Sequence, residues 1–176
     1  MCGRYELSGF LKDRMSKQIE KRVEEKGLTD YQTGEVFPGG KCLVFIPKKE
    51  GKIDVDVKNW VIPLQSLLIN ARIETLDRKP FYRSFINNRC VVIANGFYEW
   101  HDKRKFYIHK EDPYIFMPGI FTDKDEFVIL TGASYGDMKK IHERTPLLFD
   151  KEEMLRYLRG TQELIVHNED LIIESR

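Results

Sequence analysis

The fold is decided by one stretch of sequence, Arg89-Cys90-Val91-Val92-Ile93-Ala94-Asn95-Gly96-Phe97-Tyr98-Glu99-Trp100-His101. It contains two runs rich in β-branched and aromatic residues, 89–94 and 97–101, and such runs are typical of strands. Asn95-Gly96 stands between them, and this dipeptide favours a tight two-residue hairpin turn. The stretch therefore predicts two antiparallel strands joined at Asn95-Gly96.

Similar strand signals extend in both directions from this stretch. Short β-branched or aromatic runs occupy 105–109, 114–117 and 126–131, and upstream Ile53, Val55 and Val57 alternate with polar residues. Cys42 and Cys90 lie in apolar runs and are expected to be buried core thiols. The strands predict a mostly antiparallel, strongly curved and barrel-like sheet.

Two amphipathic segments predict helices outside this sheet. The first covers about residues 10–26, with Ser8 as its N-cap, Gly27 as its stop and an apolar face formed by Leu11, Met15, Ile19 and Val23. The second begins at a capping box of Asp150 and Glu153 and continues to about 158, with Met154, Leu155 and Leu158 on its apolar face. With two or three helices flanking the sheet, the fold class is α+β.

Length and composition are those of one ordinary globular domain over residues 1–176, with a short acidic tail at about 150–176. The chain has 176 residues, of which 41% are hydrophobic and 32% charged. No apolar run has the length of a membrane span and no signal peptide is expected, so the expected location is the cytoplasm (nucleoid-associated in a prokaryote) or the nucleus, with no membrane partner. A monomer is the default expectation for the oligomeric state. Three cysteines without a C-x-x-C pair do not indicate a disulfide framework.

Charge is spread unevenly along the chain although the net charge is only +1. Residues 72–110 contain nine lysines and arginines against four acids, whereas residues 150–176 contain four basic and seven acidic side chains. The basic half could follow a phosphate backbone, and a solvated basic face is the alternative.

The chain opens Met1-Cys2-Gly3-Arg4-Tyr5, which places a cysteine directly after the initiator methionine. If Met1 is removed, Cys2 carries an α-amine and a thiol on adjacent carbons. The α-amine has a reference pKa of about 7.7–8.0, so roughly a tenth of it is unprotonated at pH 7. Such a 1,2-aminothiol can capture an aldehyde as a Schiff base and close a thiazolidine ring. The alternative is a frayed terminus with an incidental cysteine.

Polar residues also stand at three other places where packing does not require them. Strand alternation would put Asn70, Arg72 and Glu74 on one face, or the same segment is a solvated strand end. Glu99 lies among three aromatic residues, where burial would raise its pKa as a general acid requires, unless it faces outward from an edge strand. His142 is a candidate titrating group or a structural histidine.

No metal or cofactor is expected. The three cysteines and four histidines do not show the spacing of a recurring zinc motif, and the sequence lacks a phosphate-binding glycine loop and a nucleophile elbow.

Five segments taken together, in this order, resemble the SOS response-associated peptidase (SRAP) family, whose members process abasic sites in single-stranded DNA. They cover about residues 2–150 and are Cys2-Gly3-Arg4-Tyr5, Val36-Phe37-Pro38-Gly39, Ile69-Asn70-Ala71-Arg72-Ile73-Glu74-Thr75, Arg89-Cys90 with Asn95-Gly96-Phe97-Tyr98-Glu99-Trp100, and His142-Glu143-Arg144-Thr145-Pro146.

The resemblance implies four catalytic roles. Cys2 would be the nucleophile that forms a thiazolidine with the open-chain aldehyde of the lesion. Asn70 would position the Cys2 amine and the sugar, and Glu99 would shuttle protons. His142 would assist sugar ring opening and reversal of the crosslink.

The resemblance also implies contacts with single-stranded DNA that contains abasic sites. Arg4 and Arg72 would bind phosphates, and Pro38 and Trp100 would wedge or stack against flanking bases. The sequence departs from the family pattern in four places. Ile93 and Asn95 stand in place of the usual proline and aspartate. Glu35 stands where the family usually has asparagine, residues 60–65 retain only Trp60 of a tryptophan-rich segment, and the end of the chain lacks the usual asparagine-containing segment.

The function expected from these residues is an abasic-site sensor that crosslinks covalently to single-stranded DNA and shields the lesion during the DNA damage response. Weak lyase action by β-elimination from the imine is a related activity. Two alternatives are an N-terminal-cysteine thiol peptidase that acts on its own leading segment and a non-catalytic module that binds single-stranded DNA.

Overall fold

The computed structural model describes residues 2–9 and 13–176, and this part of the chain forms fourteen strands and four α-helices. The strands are β1 Tyr5–Leu7, β2 Gly34–Val36, β3 Lys41–Pro47, β4 Ile53–Asn59, β5 Ile62–Pro63, β6 Leu67–Leu68, β7 Asn70–Arg72, β8 Arg89–Ala94, β9 Gly96–His101, β10 Arg104–His109, β11 Ile115–Phe121, β12 Phe127–Ala133, β13 Arg144–Pro146 and β14 Ile172–Ser175. The helices are α1 Arg14–Glu25, α2 Pro80–Arg83, α3 Met138–Ile141 and α4 Lys151–Leu158.

Two sheets carry most of these strands. A five-stranded sheet has the order β14-β10-β9-β1-β2, and a seven-stranded sheet has the order β13-β12-β11-β8-β3-β4 with β7 paired to β12. The β7–β12 pair is parallel, and the remaining pairs between these described strands are antiparallel. The α+β class is thus confirmed. Barrel-like closure is not, because both sheets end in open edge strands.

The hairpin predicted at Asn95-Gly96 is wrong. Strand β8 lies between β11 and β3 in one sheet, and β9 lies between β10 and β1 in the other. The Asn95 N–H donates to Glu6 O (2.8 Å), and the Asn95 side chain bonds Ser8 N (2.8 Å) and Pro113 O (3.0 Å). The chain therefore changes sheets at Asn95, because both flanking strands find partners elsewhere.

Gly96 is required at this crossing by close packing. A Cβ atom at this position would lie 2.6 Å from the ring of Tyr107 and 2.7 Å from Ile108 O. Glycine thus lets β10 approach β9, and the residue does not serve the turn geometry on which the hairpin prediction rested.

Helix α1 begins later than its sequence pattern indicates. Its N-cap is Asp13, whose Oδ1 accepts a hydrogen bond from Ser16 N (2.9 Å), so the assignment of Ser8 as the cap is wrong. Residues 10–12, including Leu11 of the expected apolar face, lie outside the described residues. Gly27 follows the helix with a φ of +63°, as a stop signal requires.

The last 27 residues contain regular structure at both ends. Helix α4 starts at the predicted capping box, where Asp150 Oδ1 accepts from Glu153 N (2.8 Å) and Glu153 Oε2 accepts from Asp150 N (2.9 Å). Strand β14 adds to the edge of β10 in antiparallel register. The end of the acidic tail is thus part of the five-stranded sheet.

A fully buried tryptophan joins the core to the segment before Asn70. The Trp60 ring packs 5.3 Å from the Tyr5 ring, and its Nε1 donates to Ile69 O (3.0 Å).

Cys42 and Cys90 are both buried, as the apolar runs around them predict.

One buried carboxylate ties helix α1 to strand β4. The Asp54 side chain is 2% exposed, and it pairs with Arg22 (2.6 Å), Lys26 (3.2 Å) and Lys48 (2.5 Å). Hydrogen bonds from Arg22 and then from the two lysines hold the pKa of Asp54 well below its ordinary value.

We expect Asp54→Asn to lower the free energy of unfolding by about 1–3 kcal/mol at pH 7, because three cations lose a shared buried acceptor. Since the folded-state pKa is lowered, the contribution of Asp54 is present above the ordinary carboxyl pKa and is lost as the pH falls below it. Urea unfolding should therefore show a difference between variant and wild type that shrinks from pH 5 to pH 3. The exposed Asp30, which pairs with Lys41, provides a control. Equal losses in Asp30→Asn and Asp54→Asn would contradict the assignment.

Candidate active site

Cys2 is brought to the interior by the pairing of β1 with β9. Tyr5 lies opposite Phe97, and the Tyr98 N–H donates to Arg4 O (2.9 Å). Continuing this antiparallel register toward the start of the chain places Cys2 beside the part of β9 that contains Glu99. The Cys2 side chain is fully buried. Burial first, and then the negative charge of Glu99, raise the pKa of the Cys2 thiol.

Glu99 is buried in a central strand. Its exposed fraction is 4%, and β9 has β10 on one side and β1 on the other, so the alternative of an outward-facing glutamate on an edge strand is wrong. Burial raises the pKa of the Glu99 carboxyl, and the charge of His142 acts in the opposite direction. Glu99 therefore interacts electrostatically with both Cys2 and His142.

His142 is held at the end of helix α3, which lies against β9. Its backbone N–H donates to Met138 O (3.0 Å), and its Nδ1 accepts a hydrogen bond from Arg144 N (2.9 Å). Nδ1 also lies 3.1 Å from Arg144 O, so the backbone of Arg144 holds this ring nitrogen in either tautomer.

Asn70 offers an unused acceptor. Its Nδ2 donates to Ile69 O (3.0 Å), while its Oδ1 is buried and lacks a hydrogen-bond partner among residues 2–9 and 13–176. A buried amide oxygen without a partner costs free energy unless a bound molecule supplies a donor. Asn70 lies in β7 beside β12, and β12 also pairs with β13, which begins two residues after His142.

The predicted alignment of Asn70, Arg72 and Glu74 on one strand face is wrong for Glu74. Strand β7 ends at Arg72, and residues Ile73–Thr75 form a 3₁₀ turn, so strand alternation does not reach Glu74. The side chain of Arg72 is exposed at this end of the strand.

Glu74 forms a bidentate ion pair with Arg144, a residue to which the sequence had not assigned a role. The two Arg144–Glu74 distances are 2.6 and 2.9 Å, and Arg144 also donates to Thr131 O (2.7 Å). The hydrogen bond from Arg144 lowers the pKa of Glu74. Arg144 is thereby fixed, and its backbone orients His142. Its position two residues after His142 was the available signal for this role.

Two of the four residues expected to contact DNA, Arg4 and Trp100, lie together on the five-stranded sheet, whereas Arg72 ends β7, which pairs with β12 of the other sheet. The Arg4 guanidinium lies between the rings of Phe37 (4.2 Å) and Trp100 (4.8 Å), which are 44% and 38% exposed. Glu35 and Lys105 complete this group, and we call the five residues the Arg4–Trp100 cluster. The sequence did not predict that Phe37 and Lys105 belong to this surface. For Phe37 the available signal was its place next to Pro38 in the segment Val36-Phe37-Pro38-Gly39.

Pro38 is half-buried next to Phe37. The Gln32 side chain holds the Phe37 backbone through two hydrogen bonds, from Gln32 Nε2 to Phe37 O (2.9 Å) and from Phe37 N to Gln32 Oε1 (3.1 Å).

Within the described ranges, no group of three or more histidine, cysteine, aspartate or glutamate side chains lies close enough together to hold a metal ion. A helix with the length and hydropathy needed to cross a membrane is likewise not found there.

The family model of the SOS response associated peptidase (SRAP) matches residues 1–173. The chain belongs to the SRAP family. This match extends past residue 150, where the recognisable motifs end, and takes in most of the acidic tail of this SRAP chain.

Curated relatives of the SRAP chain are named abasic site processing proteins. YedK of Escherichia coli is 28% identical over 181 residues, covering 90% of this chain and 80% of that protein. YoaM of Bacillus subtilis is 30% identical over 109 residues, covering 57% and 47% of the two chains. HMCES of Xenopus tropicalis is 26% identical over 123 residues, covering 49% of this chain and 36% of that protein. The chain thus spans four fifths of the first relative and less than half of the other two.

Two solved structures from Bordetella bronchiseptica share the fold. One matches with a TM-score of 0.74 at 14% identity and covers 99% of both chains. The other, a phage-related protein, matches with a TM-score of 0.72 at 21% identity and covers 99% of this chain and 94% of its own. At these identities the likeness concerns the fold alone.

Proposed function

We propose that this SRAP chain processes abasic sites in DNA, and that it does so by capturing the lesion covalently in single-stranded DNA through Cys2. The observation that carries the proposal is the placement of the buried Cys2 beside the part of β9 that contains the buried Glu99, with His142 at the end of a helix that lies against the same strand. The names of the curated relatives support the abasic site as substrate.

The chemistry requires removal of Met1, which frees the α-amine of Cys2. The amine nitrogen adds to C1′ of the open-chain deoxyribose aldehyde, and the resulting carbinolamine loses water to give an imine. The Cys2 sulfur then adds to the imine carbon while the thiol proton is transferred to the nitrogen. The products are one thiazolidine ring and one water, and the reaction needs no oxidant or reductant.

Glu99 provides the proton transfers of this sequence. Its raised pKa lets the carboxyl exist in both protonation states closer to neutral pH than an ordinary glutamate. The protonated form donates to the departing hydroxyl of the carbinolamine. The carboxylate then accepts the thiol proton and returns it to the ring nitrogen.

His142 and Asn70 orient the sugar and the amine. In the tautomer whose Nδ1 accepts from Arg144 N, Nε2–H of His142 would donate to the hydroxyl released when the sugar opens. Asn70 Oδ1 is buried and unpartnered in the described part of the chain, and it would accept a hydrogen bond from the Cys2 amine once Met1 is removed. The DNA strand on either side of the lesion would be bound by Arg4 and Arg72 through its phosphates and by Pro38 and Trp100 through its bases.

The two alternative functions receive less support. A thiol peptidase requires a thiolate, which a lowered thiol pKa favours, whereas burial raises the pKa of Cys2. A passive DNA-binding module does not need a buried carboxyl beside a buried thiol, an arrangement that costs folding free energy. Cleavage of the strand by β-elimination remains a side reaction of the imine, which thiol addition suppresses.

The test uses protein that begins at Cys2 and a single-stranded oligonucleotide with one abasic site, resolved on a denaturing gel. We expect a heat-stable shifted band with this substrate and little product with the same lesion in duplex DNA. Undamaged DNA and a tetrahydrofuran analogue, which has no aldehyde, should not shift. Protein with an extra residue before Cys2 is the matched control and should not react. Absence of the band at neutral pH under reducing conditions would refute covalent capture.

A further inference from the structure

The Arg4–Trp100 cluster contains a negative charge where a nucleic-acid contact would require a positive surface. Its cations are Arg4 and Lys105, and its exposed rings are Phe37 and Trp100. The fifth member, Glu35, extends from β2, the edge strand next to β1. The cluster lies on the sheet that contains Glu99 but is distinct from Glu99 and Cys2. Cys2 and Glu99 are buried, whereas Phe37 and Trp100 of the cluster are exposed.

Glu35 binds both cations with one oxygen. Arg4 Nη1 lies 2.9 Å from Glu35 Oε1, and Lys105 Nζ lies 2.7 Å from the same atom. The three side chains are each about 30% exposed, so the group is open to solvent and to a ligand. The hydrogen bonds from Lys105 and then Arg4 lower the pKa of Glu35, so its carboxylate is ionised at neutral pH.

Two further carboxylates of the same sheet, Glu6 and Glu174, are engaged by other partners. Glu6 accepts a hydrogen bond from the Tyr98 hydroxyl (2.9 Å), and Glu174 pairs with His109 and Arg176. Within the cluster, one carboxylate thus balances two cations that flank an exposed tryptophan. A phosphate and a carboxylate offer Arg and Lys the same kind of charged acceptor, so they compete for the same donors.

We propose that Glu35 is a specificity-determining residue that occupies the place of a strand phosphate between Arg4 and Lys105 and thereby weakens the binding of undamaged single-stranded DNA. A strand that stacks a base on Trp100 brings its phosphates to these two cations and must displace or oppose the Glu35 carboxylate. The inference rests on the proposed function, since it concerns the same DNA surface. Its consequence is that retention of DNA depends on the covalent step at Cys2 more than on non-covalent affinity.

The test is Glu35→Gln, which keeps the shape of the side chain and removes its charge. Fluorescence anisotropy would measure the binding of an oligothymidine strand and of the same strand with a tetrahydrofuran site. We expect Kd to fall by about 3- to 30-fold at low salt. We also expect log Kd to depend more steeply on log salt concentration, by about 0.7 for each additional phosphate that the protein neutralises on a single strand. Adding Lys105→Gln to Glu35→Gln should return Kd toward the wild-type value.

Glu152→Gln is the matched control, because Glu152 pairs with Arg156 at 3.1 Å on helix α4, which lies outside the five-stranded sheet. This variant makes the same change in net charge and should leave Kd within about twofold. The inference is overturned if Glu35→Gln keeps both the wild-type Kd and the wild-type salt dependence, or if Glu152→Gln tightens binding equally. Neither probe has an aldehyde, so the outcome is independent of crosslinking, and a failed crosslinking assay would count against the proposed function alone.

Discussion

Cys2→Ala should reduce the heat-stable adduct with abasic DNA by about 10²-fold or more, the scale on which loss of a covalent nucleophile acts. The variant keeps an α-amine and can still form an imine, but it has no thiol to close the ring. The imine hydrolyses during denaturation, so the shifted band should disappear unless borohydride reduces the imine first. The measurement is the fraction of shifted oligonucleotide with and without borohydride.

Cys2→Ser gives a second readout of the same step. The hydroxyl is a weaker nucleophile than the thiol, so the imine should persist and strand cleavage by β-elimination should increase relative to wild type. Cys90→Ala is the matched control, because Cys90 is an equally buried cysteine in β8 of the other sheet. Retention of a heat-stable adduct in Cys2→Ala, or its loss in Cys90→Ala, would contradict the role of Cys2.

Glu99→Gln should slow adduct formation by about 10²–10⁴-fold, the usual contribution of a positioned general acid or base. The wild-type rate should depend on two ionisations, because the reaction needs the α-amine without its proton and Glu99 with its own. The variant lacks the second ionisation, so its rate should continue to rise until the amine is fully deprotonated. Single-turnover rates between pH 5 and 9 would separate the two profiles.

The same substitution should raise stability at neutral pH. Burial raises the folded-state pKa of Glu99 above its unfolded value, so wild-type stability declines as the pH rises from the ordinary carboxyl pKa through the raised one. Glutamine does not ionise and avoids this loss. We expect an increase in Tm of about 2–4 °C at pH 7, which corresponds to about 1 kcal/mol in a chain of this size, and no increase at pH 4.

The exposed Glu143, next to His142, provides the control for both effects of Glu99→Gln. Glu143→Gln should keep the wild-type rate profile and Tm. A Glu99→Gln variant that reacts at the wild-type rate, or that is less stable than wild type at pH 7, would show that the carboxyl does not carry these proton transfers from a buried position.

Locally encoded features of this fold could be predicted from the sequence. The β-branched runs around Cys90 and Phe97 form strands, and the capping box of Asp150 and Glu153 starts helix α4. Each depends on residues a few positions apart. The hairpin at Asn95-Gly96 failed although its signal was strong, because strand pairing is decided by partners far along the chain. Glu6, the partner of Asn95 N, is 89 residues away.

The candidate site divides in the same way. Unusual sequence surroundings and the family resemblance together point to four polar residues of the site, Cys2, Asn70, Glu99 and His142. The ion pairs around these residues could not be predicted from the sequence. Arg144 and Glu74 are 70 residues apart in the chain, and Lys105 and Glu35 are separated by the same number. Ion pairs of this kind depend on the sheet order, which the sequence pattern does not provide.

The pairing of β1 with β9 also affects the order of events during synthesis. Phe97 is the partner of Tyr5, so the first strand cannot be enclosed on this side until about a hundred residues have been made. At about 5–20 residues per second, the start of the nascent chain stays accessible on the ribosome for about 5–20 s. Removal of Met1, which the proposed chemistry requires, would therefore have this interval before the neighbouring thiol is enclosed.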